Sequence, residues 1–216
     1  MKIDSKLVIA TGLLVGMLPL ATFAAEDPVA QDMKAKVKAY FDACFEDLRI
    51  VAEQKPDKHS FRDAIKPVAE KTDGFFGGTL IDPDFVIVQV YHKKNFLARG
   101  YDLKKVEQLQ DFAREMKTDP RPQLSEPGHG SLVQPRLVAM RYPFKNEGEL
   151  AGIVSMMVRT EAFLQAVGLD KASAYRITCR GKLAEQKGDL SDKAHRFVLD
   201  LPSTTWELEF ELENES

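Results

Sequence analysis

The sequence predicts an α+β domain in which helices come first and an antiparallel sheet runs on to the end of the chain. Three observations carry this. Residues 29–54 place apolar side chains at three- and four-residue steps, the spacing of an amphipathic helix. Between Arg136 and Val158, two dense apolar runs are joined by Lys145-Asn146-Glu147-Gly148. Asn and Gly tolerate the positive φ of a tight turn, so this is a hairpin. Near the end, Trp206, Leu208, Phe210 and Leu212 alternate with Glu207, Glu209, Glu211 and Glu213. A period of two is a strand with one face on a core and the other in water. Helices grouped before strands, rather than alternating with them, give the α+β class.

The chain starts with a segment outside that domain. Lys2 and Lys6 precede an uncharged apolar run from Leu7 to Leu20, followed by Thr22-Phe23-Ala24 and the polar Ala25-Glu26-Asp27-Pro28. Basic, apolar and small-residue regions in that order form a secretory signal peptide over residues 1–24, leaving one domain over 25–216. The alternative is an uncleaved membrane anchor, since Leu7 to Ala25 nearly reaches bilayer length. Export makes the location periplasmic or secreted. Its oxidising setting lets Cys44 and Cys179 be read either as a disulfide or as two buried thiols. No closely spaced cysteine pair suggests zinc, and no haem-attachment motif is present. The 216 residues are 44% apolar and 29% charged with net charge −3, which suits a globular domain and excludes the clustered basic face that nucleic acid requires.

The remaining elements follow in order. The first helix carries Met33, Val37, Phe41, Cys44, Phe45 and Leu48 on one face and ends near Lys55-Pro56. Ser60 and Asp63 resemble a capping box opening a second helix that reaches Thr72, with a kink or break at Pro67. Phe75 to Ile81 is a strand whose Gly77-Gly78 suggests a bulge or a close backbone approach. After the turn Asp82-Pro83-Asp84, Phe85 to Tyr91 is a buried strand. Asp102 starts a helix with Val106, Leu109, Phe112, Ala113 and Met116 on one face. The stretch TDPRPQLSEPGHGSLVQP holds four prolines and two glycines, and reads as a lid or binding loop or as disorder. Beyond the hairpin come a helix from Thr160 to Val167 and strands at 174–179, 182–186 and 195–199. The glutamates of the last strand read as solvated surface.

The segment PRLVAMRYPFKNEGELAGIVSMMVRTEAFLQAVGL resembles the signature of extracytoplasmic Cache (PDC, PAS-like) sensor domains. Ala139 to Phe144 matches its first strand, Asn146 to Gly152 its turn and Ile153 to Val158 its second strand. FFGGTLIDPDFVIVQVYHKKNF resembles the family's first two strands. The resemblance implies a PAS-like antiparallel sheet with a long N-terminal helix, a pocket for a small metabolite such as an amino acid or carboxylate, and a role in signal transduction. Two departures stand out. Met157 occupies the position where amino-acid-binding members carry an acid, and the family's Arg-x-Trp-Tyr element has no counterpart. The chain also stops at Ser216 without a second membrane helix, so a membrane receptor or other signalling partner is expected to carry the signal.

A pocket for a small anion wants arginine, because the guanidinium fork pairs with a carboxylate. Arg141, Arg136 and Arg99 are the candidates, with Tyr91, Tyr101 and Tyr142 as walls, His129 in the loop, and Met157 on the second strand. Alternation puts Arg136 and Tyr142 on one strand face and Arg141 on the other. No catalytic constellation, metal spacing or cofactor motif is present: His59, His92, His129 and His195 are scattered, and no nucleophile motif accompanies them. The expected function is an exported stand-alone small-molecule sensor. The alternatives are a protein-docking module without a pocket and, less favoured, an enzyme.

Overall fold

The structure is a computed structural model and describes residues 27–92, 98–128 and 136–213. The signal peptide expected over residues 1–24, and His129, lie outside the described residues. Helix α1 spans Pro28–Glu53. Asp27 caps it, its carboxylate accepting from the amides of Val29 and Ala30, with Pro28 supplying the preset φ of a first turn. The same carboxylate lies 2.5 Å from His195 Nδ1, and these contacts hold Asp27 below the ordinary aspartate value of 3.8. A depressed folded-state value means the contribution is present above the unfolded value and is lost as pH falls through the folded one. The expected result is a lower melting temperature for Asp27→Asn than for the parent at pH 6, with the gap closing toward pH 3. Circular dichroism melts at the two pH values check it.

Helix α2 (Phe61–Lys71) runs through Pro67 and buries Phe61, Ile65 and Val68. The expected capping box is absent because Asp57 takes Ser60 first: the Ser60 hydroxyl donates to Asp57 Oδ1 and accepts from the Asp57 amide. Strands β1 (Phe75–Ile81) and β2 (Ile87–Tyr91) follow. Both expectations for Gly77-Gly78 hold. The β1 register shifts between Phe75 and Gly77, and a Cβ on Gly78 would lie 3.0 Å from Ile65 Cγ1 of α2. The helix expected from Asp102 is divided. Two short 3-10 turns, Leu103–Lys105 and Glu107–Leu109, precede α3 (Gln110–Thr118), because Val106 takes an extended conformation between them. Within the proline-rich stretch lies a strand that the sequence did not announce, β3 (Gln123–Leu124).

The hairpin is β4 (Leu137–Asn146) and β5 (Glu149–Arg159). Its turn places Glu147 at φ 51° and Gly148 at φ 90°, the paired left-handed conformation that suits the twist of a two-residue hairpin. Helix α4 (Thr160–Val167) leads to β6 (Ala172–Cys179), β7 (Lys182–Lys187), β8 (His195–Leu201) and β9 (Thr204–Leu212). The α+β class and antiparallel pairing match the expectation, but the strands divide between two sheets. The first has the order β2-β1-β5-β4-β3 and the second β7-β6-β9-β8. The hairpin therefore pairs with the early strands and not with those that follow it.

One hydrophobic core joins the two sheets. Val138, Met140, Val154, Met156 and Val158 of the first sheet pack in the same cluster as α1 and as Ile177, Trp206 and Phe210 of the second. Phe41 is fully buried at its centre, 5.1 Å from the Trp206 ring and 5.0 Å from Phe163. The glutamate stripe of β9 lies on the outer face as expected, where Glu209 pairs with Arg176 and Arg196. The other face of the first sheet packs Ile81 and Ile153 against Phe85, Leu103, Phe112, Ala113 and Met116. At the outer edge of β2 a strap takes up open backbone: Ile87 donates to the Tyr101 carbonyl and accepts from the Gly100 amide.

Candidate functional site

The α3-facing side of the first sheet carries a polar row among apolar ones. Directly opposed residues in antiparallel strands share a face. Thr79 on β1 opposes Ser155 on β5, Ser155 opposes Arg141 on β4, and Arg141 opposes Gln123 on β3. On one side lie Ile81, Ile153 and Pro143, and on the other Gly77, Met157 and Ala139. Thr79, Ser155 and Gln123 are buried, at 6%, 3% and 4% exposure. Burying polar groups in an apolar sheet face is costly unless each finds a partner. Gln123 Nε2 is buried with no hydrogen-bond partner among the described residues.

Arg141 is the charge of this row. Its guanidinium stacks on Phe112 of α3, with Cζ 4.3 Å from the ring centroid. Among the described residues no carboxylate pairs with it. Removal from water, uncompensated by an anion, lowers its pKa to about 10. A guanidinium without a carboxylate partner keeps the fork of N–H donors with which arginine grips a carboxylate. The ring of His92 edges the same face, its Cδ2 3.2 Å from where a Cβ on Gly77 would sit.

The structure separates the other sequence candidates. Met157 shares the face with Arg141. Tyr142 opposes Val154 and packs with the helix-side core, so it lies behind the sheet. Tyr91 also lies on the helix side, 6.1 Å from the Phe75 ring and under Arg62. Arg136 is committed to two acids, Glu161 at 3.1 Å and the buried Glu185, and ties the start of β4 to α4 and β7. Arg99 donates to Gln89 Oε1 at 2.8 Å and lines an open cleft of about 510 Å³ at the β2 edge with Lys58 and His59. Tyr101 is exposed. Cys44 and Cys179 are separate buried thiols, not a disulfide, and burial pushes both up to about 12. Among the described residues, no group of His, Cys, Asp and Glu could hold a metal ion.

Sequence reasoning missed Thr79, Ser155 and Gln123. The signal for the first two was present, as single hydroxyl residues in otherwise apolar strands. Gln123 had none, because β3 is too short for a periodicity.

No protein-family model and no curated protein sequence matches the chain. Solved structures do. An extracellular ligand-binding receptor from Desulfohalobium retbaense superposes with TM-score 0.65 at 14% identity over 84% of this chain, which spans 39% of that protein. The ligand-binding domain of the Pseudomonas aeruginosa amino acid chemoreceptor PctC, solved with GABA, gives TM-score 0.59 at 15% identity, covering 86% of this chain and 97% of that one. The ligand-binding domain of the Pseudomonas fluorescens chemoreceptor CtaA, solved with L-valine, gives 0.65 at 11%, covering 87% and 96%. The chain shares the fold of these receptor ligand-binding domains. In this fold the long first helix lies behind the first sheet, and the opposite face, with Arg141, is covered by α3 and the turns before it.

Proposed function

We propose that this chain is an exported Cache-type sensor domain that binds a small carboxylate at Arg141, on the α3-facing side of the first sheet, and acts through a receptor partner. The observation that carries this is a guanidinium stacked on Phe112 with no carboxylate partner among the described residues. A half-buried charge left without an anion loses hydration that nothing repays, and a ligand carboxylate supplies the missing anion. The solved neighbours are receptor ligand-binding domains, and the ligands in their complexes, GABA and L-valine, each carry a carboxylate. This supports a binding rather than a catalytic role, an extracytoplasmic location, and a receptor as the downstream partner. The basic, apolar and small-residue order of residues 1–24 supports cleavage after Ala24 and a periplasmic or secreted product.

A melting screen of the purified exported protein against small carboxylates tests the reading. Ligand that binds only the folded state raises the melting temperature in proportion to its saturation. A carboxylate is expected to raise it, and Arg141→Ala is expected to weaken that ligand at least about 30-fold, with circular dichroism unchanged, since removing one partner of a desolvated charge pair costs about 2–5 kcal/mol. An unchanged affinity in Arg141→Ala overturns the assignment. A flat screen, with a membrane protein retained on co-purification, favours the docking module.

A further inference from the structure

The β2 edge of the first sheet carries a recess in two parts, which meet at Lys58, His59 and Val88. The part over the edge, about 510 Å³, is lined by Lys58, His59 and Arg99 and by no acid. The part beneath the loop between α1 and α2, about 490 Å³, is walled by Pro56, Leu80, Val88, Phe144 and Ala151. Both fall within the about 300–1,000 Å³ of small-molecule sites. Leu80, Val88 and Phe144 belong to the helix-side core, whereas Arg141 lies on the α3 side with Phe112.

One buried side chain fixes the cationic end. Gln89 is only 8% exposed. Its Nε2 donates to the Lys58 carbonyl at 2.7 Å, and its Oε1 accepts from Arg99 Nη2 at 2.8 Å and from the Val90 amide at 3.1 Å. A carbonyl only accepts and a guanidinium only donates, so this amide has a single orientation. Gln89 therefore clamps the α1–α2 loop and Arg99 to the same strand.

Among the described residues no carboxylate pairs with Lys58, His59 or Arg99. The two acids that line the apolar part are engaged within their own turns. Asp57 Oδ1 accepts from the His59 and Ser60 amides and from the Ser60 hydroxyl, and Asp82 accepts from the Val86 amide.

Unpaired cations beside an apolar recess complement an anion that carries an apolar tail. We infer that this recess is a second ligand site, for a free amphiphilic monoanion such as a medium-chain carboxylate. Its head lies toward Lys58 and Arg99, and its tail lies under the α1–α2 loop.

The test is calorimetry of hexanoate, octanoate and decanoate, with octanol as the uncharged control, on the purified exported protein and on its Arg141→Ala variant. Using both keeps the site on the α3 side from answering for this one. The acids are expected to bind both proteins alike, with affinity rising about fourfold per added methylene, the ratio that burying one CH₂ gives. Octanol is expected to bind at least about threefold more weakly than octanoate. The double variant Lys58→Gln, Arg99→Gln is expected to weaken octanoate at least about threefold and to keep the chain-length slope, since an exposed ion pair is worth up to about fivefold. Ala151→Trp, which fills the apolar part, is expected to flatten that slope.

Absence of binding at millimolar concentration, a flat slope in the parent, or an octanoate affinity unchanged in the double variant overturns the second site. Binding lost in Arg141→Ala also overturns it and places these acids at Arg141. Retention on anionic phospholipid vesicles without octanoate binding overturns it in favour of a membrane surface. Should Ala151→Trp not fold, the parent slope and the double variant decide.

Discussion

Phe41→Ala is expected to lower the stability of this protein by about 4 kcal/mol, the usual range for emptying a fully buried aromatic site. The size follows from position. Phe41 is fully buried and meets Tyr40, Phe163 and Trp206 at once, with centroids 5.3, 5.0 and 5.1 Å away. Those contacts join α1, α4 and the second sheet, so no single element can collapse into the space. Folded domains hold only about 5–15 kcal/mol in total, which makes the variant marginal at body temperature. Urea unfolding followed by far-ultraviolet circular dichroism and by Trp206 fluorescence measures it. The two probes should move together, because one core serves both sheets. A loss under about 1 kcal/mol, or separated transitions, would show that the sheets do not share that core.

Arg136→Met is expected to cost about 3 kcal/mol and to leave ligand affinity nearly untouched. Glu185 is buried at 5% exposure, and Arg136 is the cation that bonds it. Removing one member of a buried pair strands the other charge, whereas replacing both by apolar groups of similar volume is often neutral. The double variant Arg136→Met, Glu185→Leu should therefore recover most of the loss. Chemical denaturation of the two singles and the double gives the coupling. A ligand defect in Arg136→Met, with stability retained, would move Arg136 into the binding site and overturn its role as a tie between β4, α4 and β7.

Much of this fold was legible because burial writes a period into the chain. The first helix, the hairpin and the last strand each repeat apolar residues often enough to fix the element and its inward face. The division into two sheets was not written that way, since pairing is a choice among strands of similar pattern. The site was half legible. Arg141 is the charge in an apolar strand and was named, and alternation placed it correctly opposite Tyr142.

Its neighbours depended on a bulge. The Glu147-Gly148 turn pairs Asn146 with Glu149, and unbroken continuation would set Arg141 against Val154. A register shift between Phe144 and Lys145 moves its partner to Ser155, and a one-residue slip exchanges the two faces of a strand. Gln123 lay beyond reach for another reason. Its strand exists because β4 offers an edge, and its own residues carry no strand pattern.

The strap at β2 bears on behaviour at high protein concentration. A sheet edge with open amides and carbonyls is a template for another chain, and proteins that stay dispersed cover or shorten such edges. Here the backbone of residues 100 and 101 occupies both groups of Ile87. The opposite edge is the two-residue β3, whose Leu124 amide is taken by the Pro202 carbonyl in the turn between β8 and β9. Strand addition to the first sheet is thereby disfavoured at both margins. Copies of the domain are hindered from pairing through these positions of the first sheet.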